Sequence, residues 1–175
     1  MTHTRTAARK RSPHFDRAVR PLLGDLRRLA VRLTGNRADA DDLVQETMTR
    51  IQPRLDEIAA LDRPWPWLSR VLYRLFVDEW RRQRRQPETD HGVEVDDQSD
   101  HRDLPDAALE RSLTHTRLQD ALNQLPHQQR EAVILYDVEG YTLNEIAEMT
   151  DAAVGTLKSR LHRARAALRL ILAES

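Results

Sequence analysis

The chain contains no cysteine, which excludes disulfides and thiolate-ligated metal centres. Glycine is scarce, with 5 in 175 residues, too few for the turn-rich connections of a sandwich or barrel. No apolar run is long enough to cross a bilayer. The opening MTHTRTAARKRSPH is basic but has no apolar centre, so it is not a secretory signal. Residues 1–14 read as a disordered basic tail, and a cytoplasmic protein is expected. Net charge is also lacking: 28 basic residues balance 28 acidic ones. That balance conceals a segregation of charge along the chain.

With 32% charged and 39% hydrophobic residues, the composition favours helices. The most organised stretch covers residues 141–172. Leu143, Ile146, Ala147 and Met149 fit one face of a short helix. After the break TDAA at 150–153, Val154, Leu157, Leu161, Ala164 and Leu168 recur at steps of three and four. Opposite that stripe lie Gly155, Ser159, His162 and Arg163, flanked by Thr156 and Lys158. Two helices joined by a tight turn, the second presenting small, polar and basic side chains, form a helix-turn-helix pattern. A solvated basic helix closing a bundle is the plainer alternative.

Upstream, residues 15–34 read as one helix with Leu22, Leu26, Leu29 and Leu33 on a stripe, ended by Thr34-Gly35-Asn36. Asp39 is the expected N-cap of the next helix, with Asp41 and Asp42 suited to its positive end. Leu43, Val44, Met48 and Ile51 are its inward residues, and Pro53 should end or kink it. A helix opening at Trp65-Pro66-Trp67 buries Trp67, Leu68, Val71, Leu72, Leu75 and Phe76. Its expected outer face carries Arg70, Tyr73, Arg74, Asp78 and Arg81, and it closes in WRRQRR.

Residues 86–110 then lose large apolar side chains and gain nine carboxylates between Glu88 and Glu110. They read as an acidic, mostly disordered linker. A second domain is expected from residue 111 to 172. Leu118, Leu122 and Leu125 line a helix stopped by Pro126. A helix over 128–138 offers Ala132, Val133, Leu135 and Tyr136 to the core. The fold class is therefore all-α, two small helical domains joined by a flexible acidic linker. No nucleophile–base set, phosphate loop or convincing metal site is evident, so neither an enzyme nor a cofactor is expected. Asp39, Asp41, Asp42 and Glu46 make a poor metal cluster, because consecutive acids diverge around a helix. His91 and His101 look incidental.

These pieces together resemble the extracytoplasmic-function sigma factors of bacterial RNA polymerase, over about residues 15–170. LPHQQREAVILYDVEGYTLNEIAE and GTLKSRLHRARAAL are similar to region 4. GNRADADDLVQETMTRI is similar to regions 2.1–2.2, and RPWPWLSRVLYRLFVDEWRRQRR to regions 2.3–2.4. Arg74 stands where the family often has Asn, Leu72 where a small residue is usual, Asp151 where Gly is common, and Leu157 where Val is usual. These departures bear on which promoter is read.

The resemblance implies a detachable specificity subunit with no catalytic residue of its own. Domain 15–85 would bind core polymerase and recognise and melt the −10 element; domain 111–172 would bind the −35 element. Asp41, Asp42, Leu43, Val44, Gln45 and Glu46 would dock on the β′ coiled coil. Trp65, Arg70, Tyr73, Arg74, Arg81 and Arg82 would meet −10 DNA, where rings accept unstacked bases and cations hold phosphates. Residues 56–64 match the loop that captures a flipped base. Trp67 belongs to the core stripe, while Trp65 fits core and base contact equally. Gly155, Thr156, Lys158, Ser159, His162 and Arg163 would enter the major groove at −35, with Arg165 and Arg169 meeting backbone or partner acids. The implied partners are core polymerase (β′ coiled coil and β-flap), promoter DNA and an anti-sigma factor. The linker would be an entropic tether, or a cleft-threading segment whose carboxylates mimic nucleic acid. Two rivals remain: a decoy that sequesters an anti-sigma factor, and a conventional helix-turn-helix regulator.

Overall fold

Proline and glycine set the first helix boundaries. The structure, a computed structural model, describes residues 13–85 and 106–173, with side chains over 15–83 and 114–173. The basic tail through residue 12 and the linker over 86–105 lie outside the described residues. Helix α1 spans Pro13–Ala18, a 3-10 turn follows at Arg20–Leu22, and α2 spans Leu23–Thr34. The single helix expected over 15–34 is thus two. Pro21 has no N–H to donate and its ring clashes with the preceding turn. Helix α2 ends on Gly35, whose φ of 86° is left-handed and whose N–H closes onto Val31 O at 2.8 Å.

Helix α3 spans Arg37–Ile51 and is capped by Asn36, not by Asp39 as the sequence suggested. The Asn36 side chain accepts from the Asp39 N–H at 2.9 Å and returns its own amide N–H to Asp39 Oδ2 at 2.7 Å. Asn and Asp cap equally well, and the reciprocal pair decides for the earlier start. Pro53 falls in a 3-10 turn at Gln52–Arg54, leading to α4, Leu55–Ala59. Helix α5 then runs 22 residues, Pro64–Arg85. Leu26, Leu29, Ala30, Leu33, Ala40, Leu43, Ile51, Ile58, Leu68 and Leu72 form the buried centre of this first unit.

Helix α6 spans Asp106–Asn123, so it begins inside the segment assigned to the linker. Helix α7, His127–Val133, widens into a π-helical turn at Ile134–Val138. That turn explains a displaced side chain. Tyr136, expected in the core, is exposed, while Ala132, Val133, Ile134 and Leu135 are all buried. The widened turn changes the register by which Tyr136 would have followed Ala132 inward. Helices α8, Leu143–Thr150, and α9, Val154–Ala173, complete the described fold. No strand occurs among the described residues. The apolar centre of the second unit, including Leu122, Leu125, Leu135, Ile146, Leu157, Leu161 and Ala164, is continuous with that of the first.

Candidate polymerase-docking and nucleic-acid interfaces

Three surfaces follow from this framework. The first lies along α3, where Asp41, Asp42, Gln45 and Glu46 are exposed at spacings that place them along one side of the helix. Leu43 turns inward, Val44 is half-buried, and the Thr47 hydroxyl is buried, donating to Leu43 O at 2.7 Å. Arg27 on α2 holds Asp41 with a two-pronged contact, Nε to Oδ1 at 2.8 Å and Nη2 to Oδ2 at 3.0 Å. The fork fixes the carboxylate's orientation. Glu46 pairs with Arg50 at 3.7 Å. Arg27 was not singled out in the sequence, because its partner is fourteen residues away.

The second surface is α5. Arg74, Arg81 and Arg82 are exposed as expected. Trp65 and Trp67 are half-buried, and the Arg54 guanidinium lies 5.1 Å over the Trp67 ring. The expectation of an exposed Tyr73 is corrected. Its relative exposure is 1%, and its hydroxyl donates to Glu131 on α7. Arg70 is only half-exposed, with Nη2 3.2 Å from Glu145 Oε1. The reason is the second unit, which packs on this face of α5 and occupies what a helical wheel of the first domain alone assigns to solvent.

That packing joins the two apolar centres and carries polar contacts at its edges. Ser69 donates to Trp65 O at 2.7 Å, which leaves Tyr141 as the donor in the Ser69–Tyr141 hydroxyl contact. His127 stacks on Trp80 with ring centres 4.2 Å apart and planes 15° apart, and on Phe76 at 5.4 Å and 17°. Gln119 donates to Val31 O at 3.2 Å, and Asn123 to Gly35 O at 3.1 Å, so α6 satisfies carbonyls at the end of α2. Arg32 approaches Glu139 at 3.6 Å, with little of either side chain exposed. Burial raises the pKa of the Glu131 carboxyl, against the opposing pull of Tyr73, Arg160 and Arg81. Burial also raises the Tyr73 phenol, with Glu131 adding to the effect.

The third surface is α9. A capping box starts α8: Thr142 accepts from the Glu145 N–H at 3.3 Å, and Glu145 accepts from the Thr142 N–H at 2.9 Å. These bonds hold the Glu145 carboxyl below its usual range. Asp151 makes the turn at φ 55° and ψ 34°, the left-handed conformation that explains why Gly suits this position. On α9, Gly155, Thr156, Lys158, Ser159, His162 and Arg163 are all exposed, while Leu157, Leu161 and Ala164 are buried. A Cβ at Gly155 would meet nothing within 4 Å. Internal packing therefore does not demand glycine there. Arg165 is engaged within the chain, Nε to Asp137 Oδ2 at 3.0 Å, over the Tyr136 ring at 5.4 Å.

Residues 18–86 match the family model of Sigma-70 region 2, and residues 115–168 that of Sigma-70, region 4. The chain is 36% identical over 148 residues to the ECF RNA polymerase sigma factor EcfG of Rhodopseudomonas palustris, covering 84% of this chain and 78% of that one. The chain belongs to the extracytoplasmic-function sigma factors. SigL of Mycobacterium tuberculosis is 39% identical over 153 residues, covering 84% of this sigma factor and 82% of its own length. SigE of Mycolicibacterium smegmatis is 36% identical over 174 residues; those cover 93% of this chain but 63% of that longer relative. Among solved structures, the sigma factor RpoE of Bartonella quintana, crystallised with the anti-sigma factor NepR, matches with a TM-score of 0.66. Identity is 27%, over 91% of this sigma factor and 96% of that chain. CnrH, solved with the cytosolic domain of CnrY, matches at 0.56 and 25% identity, covering 92% and 88%. No helix among the described residues of this sigma factor is long and apolar enough to cross a membrane.

Proposed function

We propose that this chain is a promoter-specificity subunit of bacterial RNA polymerase acting in the cytoplasm, and that it performs no phosphodiester chemistry itself. Residues 41–46 dock on the β′ coiled coil through the exposed Asp41, Asp42, Gln45 and Glu46, with Leu43 anchoring the helix from below. Trp65, Arg70, Arg74, Arg81 and Arg82 form the −10 surface, which favours one strand over two; Tyr73, buried against Glu131, is not part of it. Gly155, Thr156, Lys158, Ser159, His162 and Arg163 read the −35 element from the start of α9, where side chains reach base edges and phosphates. Region 4 also meets the β-flap. Two modest DNA contacts on one scaffold raise effective concentration and hence specificity.

The observation that carries this reading is one chain holding an exposed acidic edge on α3 and an exposed basic face on α9, in the order region 2 then region 4. An anti-sigma partner fits as well. The two solved relatives are complexes, one with an anti-sigma factor and one with the cytosolic domain of CnrY, and their similarity extends over both helical units.

Core binding tests the reading. The chain should co-elute with sigma-free core polymerase, and Asp42→Ala with Gln45→Ala should weaken the complex at least about tenfold, as loss of charged interface contacts does. Binding to an anti-sigma factor with no binding to core would instead mark the decoy.

A further inference from the structure

We propose that Arg27 is a positioning residue for polymerase docking: from α2 it holds the Asp41 carboxylate in the orientation that the polymerase meets. The inference rests on the sigma-factor reading above, in which residues 41–46 bind core polymerase.

The exposed acids of the α3 edge are not held alike. Asp42 makes no hydrogen bond or ion pair among the described residues. Glu46 has one long contact, to Arg50 a turn along the same helix, at 3.7 Å. Asp41 is gripped from another helix through both oxygens, by Arg27 Nε at 2.8 Å and Nη2 at 3.0 Å. The backbone beneath it is fixed as well. Asn36 and Asp39 brace the start of α3 with reciprocal bonds of 2.9 and 2.7 Å, and Ala40 and Leu43, either side of the acid pair, are buried.

An exposed ion pair adds little to stability, and these side chains are 56% and 53% exposed. The fork matters for what it presents. A carboxylate has about four acceptor sites, and the fork engages two. Sites remain for an N–H of the polymerase, and a side chain already ordered loses less freedom on association. Charge alone points the opposite way. A surface that pairs with an acidic edge brings cations, and an arginine beside Asp41 repels them. Removing Arg27 therefore tightens binding if charge decides, and weakens it if orientation decides.

Titration of sigma-free core polymerase with the full chain and its variants separates these. Arg27→Ala should weaken core binding about two- to tenfold, although it removes a cation from the edge. Arg27→Lys keeps the charge but loses the fork, and should also weaken it. Asp41→Ala should cost more, and Arg27→Ala added to Asp41→Ala should change nothing further. The swap Arg27→Asp with Asp41→Arg rebuilds the pair but moves the acid to α2, so binding should stay weak. Melting temperatures should remain within about 4 °C of the wild type, as loss of an exposed pair allows. Unchanged or tighter binding by Arg27→Ala, wild-type affinity in Arg27→Lys, a further loss on top of Asp41→Ala, or rescue by the swap overturns the role. Binding lost only together with a larger fall in melting temperature makes the pair a structural clip and overturns it too. Asp42→Ala with Gln45→Ala separates this role from the docking reading. Full core binding by that variant refutes the docking edge itself, and Arg27's role with it. Weakened binding there, with none in the Arg27 variants, refutes the positioning role alone.

Discussion

Glu131 brings a carboxyl group into a site from which water is largely excluded, where it accepts a hydrogen bond from the Tyr73 phenol. Two arginines face it more distantly: Arg81 from α5 and Arg160 from α9. Burial outweighs them and raises its pKa. The closed packing therefore binds a proton on Glu131 more tightly than an arrangement that exposes it. The stabilisation is fully present below the ordinary glutamate value of about 4.3 and is lost as pH rises through the raised value. Glu139 has the same sign, because burial again prevails over Arg32. The stability these two carboxyls contribute should thus decline as pH rises above that ordinary value. Glu131→Gln, which keeps an acceptor but cannot titrate, should flatten the decline. Melting curves against pH for the chain and for Glu131→Gln check both, and a Glu131 contribution that grows with pH would contradict the assignment.

Helix boundaries show how far local chemistry carries. Gly35 ends α2 and the helix-turn-helix falls where its apolar periods place it, because the residues that decide them lie within one or two turns. Pro21 and Asn36 are equally local, but each competed with a stronger-looking signal, a long leucine stripe and a run of aspartates. The π-helical turn at Ile134–Val138 left no such signature, so Tyr136 was placed inside when it lies outside. At the other turn, Asp151 carries a left-handed backbone at φ 55°. Glycine adopts that conformation without the Cβ penalty of about 1–2 kcal/mol, less its own entropic cost. Asp151→Gly should therefore raise the melting temperature by about 1–3 °C, and Asp151→Ala should lower it. Differential scanning calorimetry distinguishes these from a turn that makes no difference.

At the scale of the molecule, the two domains and their order were legible because each is an amphipathic set with its own breaks. The faces of α9 and α3 were legible for the same reason: a helix that buries one stripe exposes the other. The α5 face was not. Tyr73 and Arg70 lie opposite the stripe formed by Leu68, Leu72 and Phe76, and only packing between sequence-distant units covers them. Contacts spanning 58 and 75 residues have no period to reveal them. Ser69, Gln119 and Asn123 belong to the same class, since their partners lie 72 or 88 residues away. Promoter binding by the polymerase complex should also fall steeply with salt, since phosphate contacts release counterions. Arg81→Ala with Arg82→Ala should make the slope of log affinity against log salt shallower by about 1–2.

The most direct measurement is transcription in vitro. The purified chain is mixed with sigma-free bacterial core polymerase and fragmented genomic DNA from its source, and the 5′ ends of the transcripts are sequenced. A specificity subunit gives discrete start sites sharing two upstream elements, at spacings one protein can bridge. Start sites no different from those of core alone, with the same core shown active alongside another sigma factor, would contradict the account.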